Sequence, residues 1–303
     1  MKNVNAYTGP QRFAHRGLVQ AAPENTLGAF QGAVDGGYEG IEIDVQMTRD
    51  GEIVIAHDSN FTRMTLGHPD GGSNRRIRDL TWDEIQKIEL PYANHLLSEA
   101  PPEHSEIQLL ATLPKLVMGQ VEGRDYETAL AEDGRMAHLM RFSDFDAWLA
   151  AQSRNITVEV EVKAPGLAGP ILELLSRSPN TGSYILFSGD PVYVEEMQAA
   201  VRKNGKPTGL RMGANIRRLT EETKRMIPNM DLFEVGLNAD AFTCKDVRWL
   251  GEHGIHVFSN LGDYPDWWEK MVTRDVLGFK TNYAAAYTNW WNSRHRASSL
   301  PDC

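Results

Sequence analysis

Cysteine is nearly missing from this chain: Cys244 and Cys303 are the only two in 303 residues. That is too few for a disulfide framework or a thiolate zinc site, and it fits a reducing compartment. The stretch from Met1 to Pro10 holds one lysine and no apolar run, which leaves out a signal peptide and a spanning helix. The expected location is therefore the cytoplasm, without stable membrane insertion. A basic excess is missing too. The net charge of −10 excludes a general cationic field for nucleic acid or an anionic membrane. A small anionic substrate would then need local cations, from Arg, Lys or a metal.

What is present is ordinary for a folded protein, with 41% hydrophobic and 24% charged residues, enough to bury a full core. No internal repeat or low-complexity tract interrupts it. Segments rich in β-branched residues alternate with helical patterns, the sign of βαβ units and a parallel sheet. Eight strands are expected at Arg12–His15, Gly40–Met47, Thr157–Lys163, Tyr184–Ser188, Thr208–Met212, Leu232–Val235, His256–Asn260 and Gly278–Asn282. Eight parallel strands with crossover helices close into an α/β fold of the (β/α)8 TIM-barrel type. The reading is one domain over residues 1–303, with a large insertion after the second barrel strand at 58–155. Within that excursion, Thr81-Trp82-Asp83-Glu84 has a capping-box pattern and Phe142–Ala151 an amphipathic one.

The residues with chemical potential fall into three groups. Phe13-Ala14-His15-Arg16-Gly17 is a short apolar strand that ends in two basic side chains and a glycine able to admit a ligand or a backbone closely. Alone, His15-Arg16-Gly17 fits a surface turn better than a site. Glu42 and Asp44 share one face of a strand because side chains alternate with period two. Ile41, Ile43 and Val45 take the other face, which in a barrel meets the outer helices, so the carboxylates point to the lumen and call for a hard cation. Asp50-Gly51 then predicts a two-residue hairpin turn. Arg49 would face Glu52, and His57 would land beside Asp44. Finally, Thr157–Lys163 sets Glu159, Glu161 and Lys163 on one face, which fits a second acidic lumen strand or a salt-bridged exterior strand equally well.

In order along the chain, His15-Arg16-Gly17, Pro23-Glu24-Asn25-Thr26-Leu27, Glu42-Ile43-Asp44-Val45, Thr48-Arg49-Asp50-Gly51, His57-Asp58 and Glu161-Val162-Lys163 resemble the glycerophosphodiester phosphodiesterases. Weaker similarity runs through Arg63-Met64-Thr65, Leu80–Ile88, Thr112-Leu113-Pro114 and much of the C-terminal half. Several motifs in fixed order are far more specific than any one alone. The resemblance implies that Glu42, Asp44 and Glu161 bind one divalent cation, that His15 and His57 act as acid and base, and that Arg16 and Lys163 hold phosphate oxygens. The ion is expected to be Mg2+ or Ca2+, with Mn2+ or Zn2+ accepted in vitro. The implied reaction hydrolyses a small glycerophosphodiester to glycerol 3-phosphate and an alcohol, in lipid or glycerol metabolism. Asn25 or Thr26 is read as the cap of the helix that follows, with Asn25 favoured, and Glu24 has no assigned part.

The C-terminal half departs from the family pattern. Phe187-Ser188 stands where members often carry Ser-Phe, Thr281-Asn282 where they carry Thr-Asp, and Phe258-Ser259-Asn260 replaces a Trp-Thr strand. These positions are read as lining the mouth around the alcohol or glycerol end. Trp267, Trp268, Trp290 and Trp291 are either an aromatic wall for a head group such as choline or, as is commoner for paired tryptophans on amphipathic helices, core and interface packing. Two other readings remain. One is a lipid-directed phosphodiesterase of the lysophospholipase D or sphingomyelinase D kind, which would show an apolar lip in the excursion. The other is a non-catalytic phosphodiester-binding protein.

Overall fold

Each expected barrel strand forms, because each is a short β-prone run that ends in turn or capping residues. The computed structural model describes residues 7, 9–68, 73–93 and 123–294. Thr112-Leu113-Pro114, Cys303 and parts of the 58–155 excursion lie outside the described residues. The strands are β1 (Gln11–His15), β2 (Gly40–Met47), β3 (Ile53–Ile55), β4 (Glu89–Pro91), β5 (Met136–His138), β6 (Thr157–Val162), β7 (Tyr184–Phe187), β8 (Arg211–Arg217), β9 (Glu234–Leu237), β10 (His256–Ser259) and β11 (Gly278–Thr281). The helices are α1 (Leu27–Asp35), α2 (Trp82–Ile85), α3 (Gly123–Glu132), α4 (Phe142–Ala150), α5 (Ala168–Arg177), α6 (Pro191–Asn204), α7 (Glu221–Met226), α8 (Cys244–Glu252), α9 (Pro265–Thr273) and α10 (Ala284–Arg294).

Parallel pairing runs β1-β11-β10-β9-β8-β7-β6-β2, and β2 returns to β1. This closes the eight-stranded barrel. Ile41, Ile43 and Val45 join Phe30 of α1 and Phe142 and Phe145 of α4 in the main core. Burying each aliphatic side chain contributes about 1.5–3 kcal/mol. The opposite face of β2 is thereby turned to the lumen. Two expected strands are displaced toward the C-terminus: the fifth, at 208–212, where Gly209 has φ +87 and pairing starts at Arg211, and the sixth, at 232–235, which forms as Glu234–Leu237.

The excursion matches expectation in one detail and differs in another. The Thr81–Glu84 capping box forms as predicted at the start of α2. By contrast, α4 packs Phe142, Phe145 and Leu149 into the barrel core, so it is an ordinary crossover helix leading into β6. Between them, Val54, Phe61, Ile77, Leu80, Ile85 and Leu90 form a separate small core, beside the antiparallel pair β4–β5. Cys244 is disulfide-bonded, so the thiol count no longer argues for a reducing compartment. Among the described residues, no helix is long and apolar enough to cross a membrane.

Candidate active site

The C-terminal ends of β1, β2 and β6 meet at a cavity of about 790 Å3 whose lining includes His15, Arg16, Glu42, Glu161 and Lys163. Barrel geometry explains the meeting, since parallel strands deliver their last side chains to the same end. Register sets the neighbours: His15 lies beside Glu42, and Asp44 beside Glu161. Glu42, Asp44 and Glu161 each offer a carboxylate oxygen, all within 4.8 Å of one another.

Burial, then Asp44 and Glu161, lift the Glu42 carboxyl well above its ordinary range. Burial also pushes Asp44 up, but Arg16 and Lys163 outweigh it and hold Asp44 below its usual value. Asp44 Oδ1 is buried without a hydrogen bond, and the Lys163 ammonium stands 3.5 Å from it and 2.9 Å from Glu161 Oε2. The trio thus concentrates more negative charge than its protein partners satisfy. A hard divalent cation, with its preference for carboxylate oxygens, fits this donor set.

Glu159 decides between the two readings of its strand. It is fully buried, and its Oε1 accepts from Lys280 Nζ at 2.8 Å. Strands β6 and β11 are not sheet neighbours, so this bond crosses the lumen and the exterior reading fails. Glu234 of β9 adds a third buried ionisable group at this level, lifted well above its ordinary value by burial and then by Glu159.

The hairpin after β2 departs from expectation by one residue. Pairing runs Val45 with Ile55 and Met47 with Ile53, and Ala56 N donates to Asp44 O at 2.9 Å. Ala56, rather than His57, is therefore level with Asp44. The cause is a three-residue loop, Arg49-Asp50-Gly51, closed by Thr48 N to Glu52 O at 2.9 Å, with Gly51 in the left-handed region at φ +86. His57 lies beyond the end of β3, where strand alternation no longer governs its direction. Gln46 Nε2 instead clamps the chain by donating to the carbonyls of His57 and Asp58 at 2.9 and 2.8 Å. His57 Nδ1 meets Asp58 Oδ1 at 2.7 Å. His57 does not line the cavity, yet its charge when protonated reaches Asp44 and Glu24.

Glu24 and Asn25 have roles that the sequence reading missed. Glu24 accepts from Arg16 Nη1 at 3.0 Å and from Arg63 Nη1 and Nη2 at 2.9 and 2.6 Å. Arg63 Nε also donates to Asp58 Oδ2 at 2.6 Å. Glu24 is thus the counter-ion that orders Arg16 and links it to the His57 segment. Asn25 does not cap α1, whose cap residue is Thr26. Its Nδ2 donates to Asp44 Oδ2 at 3.0 Å instead. Gly17, at φ +85, admits a close backbone rather than a ligand, because a Cβ there would lie 2.7 Å from that of Ala29.

His15 is buried, and burial followed by the charge of Arg16 pushes it down to about 3. Its Nε2 lies 3.8 Å from Glu42 Oε2, and its Nδ1 lies 2.9 Å from Asn282 Oδ1. Asn282 therefore stands behind His15 rather than at the mouth. Asn215, Asn238 and Asn260 line the far side of the cavity with Trp267. Asn260 Nδ2 donates to Asn215 Oδ1 and Asn238 Oδ1 at 2.8 and 2.9 Å. Of the four tryptophans, Trp268 packs against Tyr287 and Trp290, and Trp291 against Tyr287, which is the core reading. Trp267 alone of the four reaches the cavity, with a buried indole nitrogen that has no acceptor.

The model of the glycerophosphoryl diester phosphodiesterase family matches residues 15–167. A glycerophosphodiester phosphodiesterase from Caldanaerobacter subterraneus subsp. tengcongensis is 42% identical over 76 residues, 25% of this chain and 29% of that protein. The match thus spans less than a third of that relative's length. A phosphodiesterase from Oleispira antarctica, solved in complex with the product sn-glycerol-3-phosphate, superimposes with a TM-score of 0.66 at 16% identity over 93% of this chain and 96% of that one. A glycerophosphodiester phosphodiesterase from Thermotoga maritima gives 0.59 at 18% identity over 94% and 99%. At these identities the structural likeness bears on the fold.

Proposed function

The chain belongs to the glycerophosphoryl diester phosphodiesterase family, and from that premise we propose that it is a divalent-cation-dependent hydrolase that converts a small glycerophosphodiester to glycerol 3-phosphate and an alcohol. The observation that carries this reading is the convergence of Glu42, Asp44 and Glu161 within 4.8 Å, at a cavity that His15, Arg16 and Lys163 also line.

Glu42, Asp44 and Glu161 hold the ion, Mg2+ or Ca2+ by the hardness of their oxygens. When bound, such an ion supplies charge stabilisation to the phosphoryl oxygens. Arg16, ordered by Glu24, and Lys163 hold the phosphate oxygens. Hydrolysis exchanges one P–O bond for another. The attacking oxygen bonds to phosphorus as one histidine takes its proton, and the bond to the alcohol breaks as the other histidine protonates the leaving oxygen. His15 and His57 are the pair. Their separate settings, one buried behind Glu42 and one braced by Asp58, support a division of these two tasks.

Turnover of a panel of glycerophosphodiesters, after chelation and re-addition of Mg2+, Ca2+, Mn2+ or Zn2+, tests the proposal. Release of glycerol 3-phosphate should stop on chelation and return with Mg2+ or Ca2+. Turnover that ignores the ion, or none for any glycerophosphodiester with any ion, overturns it.

A further inference from the structure

Behind His15 the C-terminal end of β11 and the loop after β10 carry a chain of buried hydrogen bonds that the reaction scheme above does not use. Asp263, Thr281 and Asn282 are 0%, 1% and 2% exposed. Asp263 accepts from Thr281 Oγ1 at 2.9 Å, from Asn282 N at 2.8 Å and from Asn282 Nδ2 at 2.7 Å. The segment that carries Asp263 is tied to β11 by Gly262 N donating to Lys280 O at 2.6 Å. On the other side, Gln20 Nε2 donates to Asn282 O at 2.7 Å. Backbone and side chain of Asn282 are thus both held.

These contacts fix the orientation of the Asn282 amide. Its NH2 faces the Asp263 carboxylate, and a flip would set two acceptor oxygens against each other in a buried site. The carbonyl oxygen Oδ1 must therefore face His15 Nδ1, 2.9 Å away. An amide oxygen can only accept, so the hydrogen of that bond belongs to His15 Nδ1.

We propose that Asp263 and Asn282 are positioning residues that lock His15 in its Nδ1–H tautomer, leaving the Nε2 lone pair directed at the carboxylate site. His15 then enters the reaction as the proton acceptor, and His57, whose Nδ1 is partnered by the carboxylate of Asp58, is left as the proton donor. The two histidines are distinguished by what stands behind them, a neutral amide for one and a carboxylate for the other. The acceptor role rests on the phosphodiesterase reading, but the tautomer does not.

Long-range proton–nitrogen NMR of the full chain with labelled histidine rings reads the tautomer directly, and the His15→Gln variant identifies the signal. The expected result is a protonated Nδ1 and an acceptor Nε2 for His15. Asn282→Leu removes the acceptor and should give a mixture of tautomers, with turnover lower by roughly 10- to 100-fold, the range for losing a group that fixes a histidine's tautomer. Combining Asp263→Asn with Asn282→Asp keeps an acceptor against His15 Nδ1 and a donor behind it, so it should restore both the single tautomer and most of the turnover. A protonated Nε2 in the unaltered protein, or a tautomer indifferent to Asn282→Leu, overturns the proposal. A fixed Nδ1–H form in a protein that hydrolyses no diester upholds the lock and removes the phosphodiesterase reading instead.

Discussion

On β1, β2 and β6 the cavity wall is ionic: Glu42, Glu161, Arg16 and Lys163 line it with His15, and Asp44 offers an oxygen within 4.8 Å of those of Glu42 and Glu161. Across the same cavity, at or just beyond the ends of β8, β9 and β10, amides dominate the wall: Asn260 bridges Asn215 and Asn238, and Trp267 and a charged group, Arg217, stand beside them. One wall gathers fixed charge, held by further charge at Glu24 and Arg63. The other offers mainly neutral donors and acceptors, with Arg217 the one charged side chain there among the described residues. Charge is concentrated where a phosphoryl group would react, and neutral hydrogen bonding where an alcohol would sit. The ionic wall should therefore govern the rate, and the amide wall the choice of diester.

The largest expected effect comes from the ionic wall. His15→Ala and His57→Ala should each lower turnover by roughly 10² to 10⁴ while the fold is kept, the usual range for lost acid–base catalysis. Near wild-type rates from both variants would remove the assignment. Next is Lys163→Met, expected to cut turnover at saturating ion by about 10²-fold, the scale of a lost charge-stabilising donor, and to shift ion affinity much less. If a titration shows affinity shifting first and turnover intact, Lys163 is only the counter-ion of Asp44 and Glu161.

Smaller still, Asn238→Ala should raise KM by roughly 3- to 10-fold, the worth of one neutral hydrogen bond, and should reorder the preference among glycerophosphodiesters while kcat changes little. An unchanged ranking would deny the amide wall its part in selection. The smallest effect concerns stability. Asp58 is held down to about 2, against the upward push of burial, by its bond to His57 and by Arg63. Because its folded value is depressed, its contribution is present above an unfolded value of about 4 and is lost as pH falls toward 2. Melting temperatures of the unaltered protein and Asp58→Asn should differ at neutral pH and converge across that acid window.

The two walls also differed in how far they could be read from the chain. Strand alternation exposed Glu42 with Asp44 and Glu159 with Glu161, because two like charges on one strand face leave a periodic mark. The barrel was legible for a similar reason, as each strand is a β-prone run between turn signals. The amide wall leaves no such mark, since each strand contributes a single asparagine and only closure of the barrel gathers them. Asn282 was read from a motif position as part of the mouth, whereas its bonds to Asp263 and His15 depend on the loop after β10 folding back onto β11. The hairpin was misread by one residue because Asp50-Gly51 belongs equally to a two-residue turn and to the longer loop that Gly51 closes. Glu24, adjacent in sequence to a helix start, showed nothing of its partner Arg63, which is brought to it by the excursion.

The central claim is that Glu42, Asp44 and Glu161 act as one ion site on which hydrolysis depends. The most direct test is to titrate Mg2+ or Ca2+ into chelated protein, for the unaltered chain and for Asp44→Asn, while following release of glycerol 3-phosphate in the same samples. A single ion per chain should bind to the unaltered protein, with hydrolysis returning in proportion to occupancy, and both should be lost together in the variant. Full hydrolysis by the chelated protein, or ion binding and turnover undiminished in Asp44→Asn, would contradict the account.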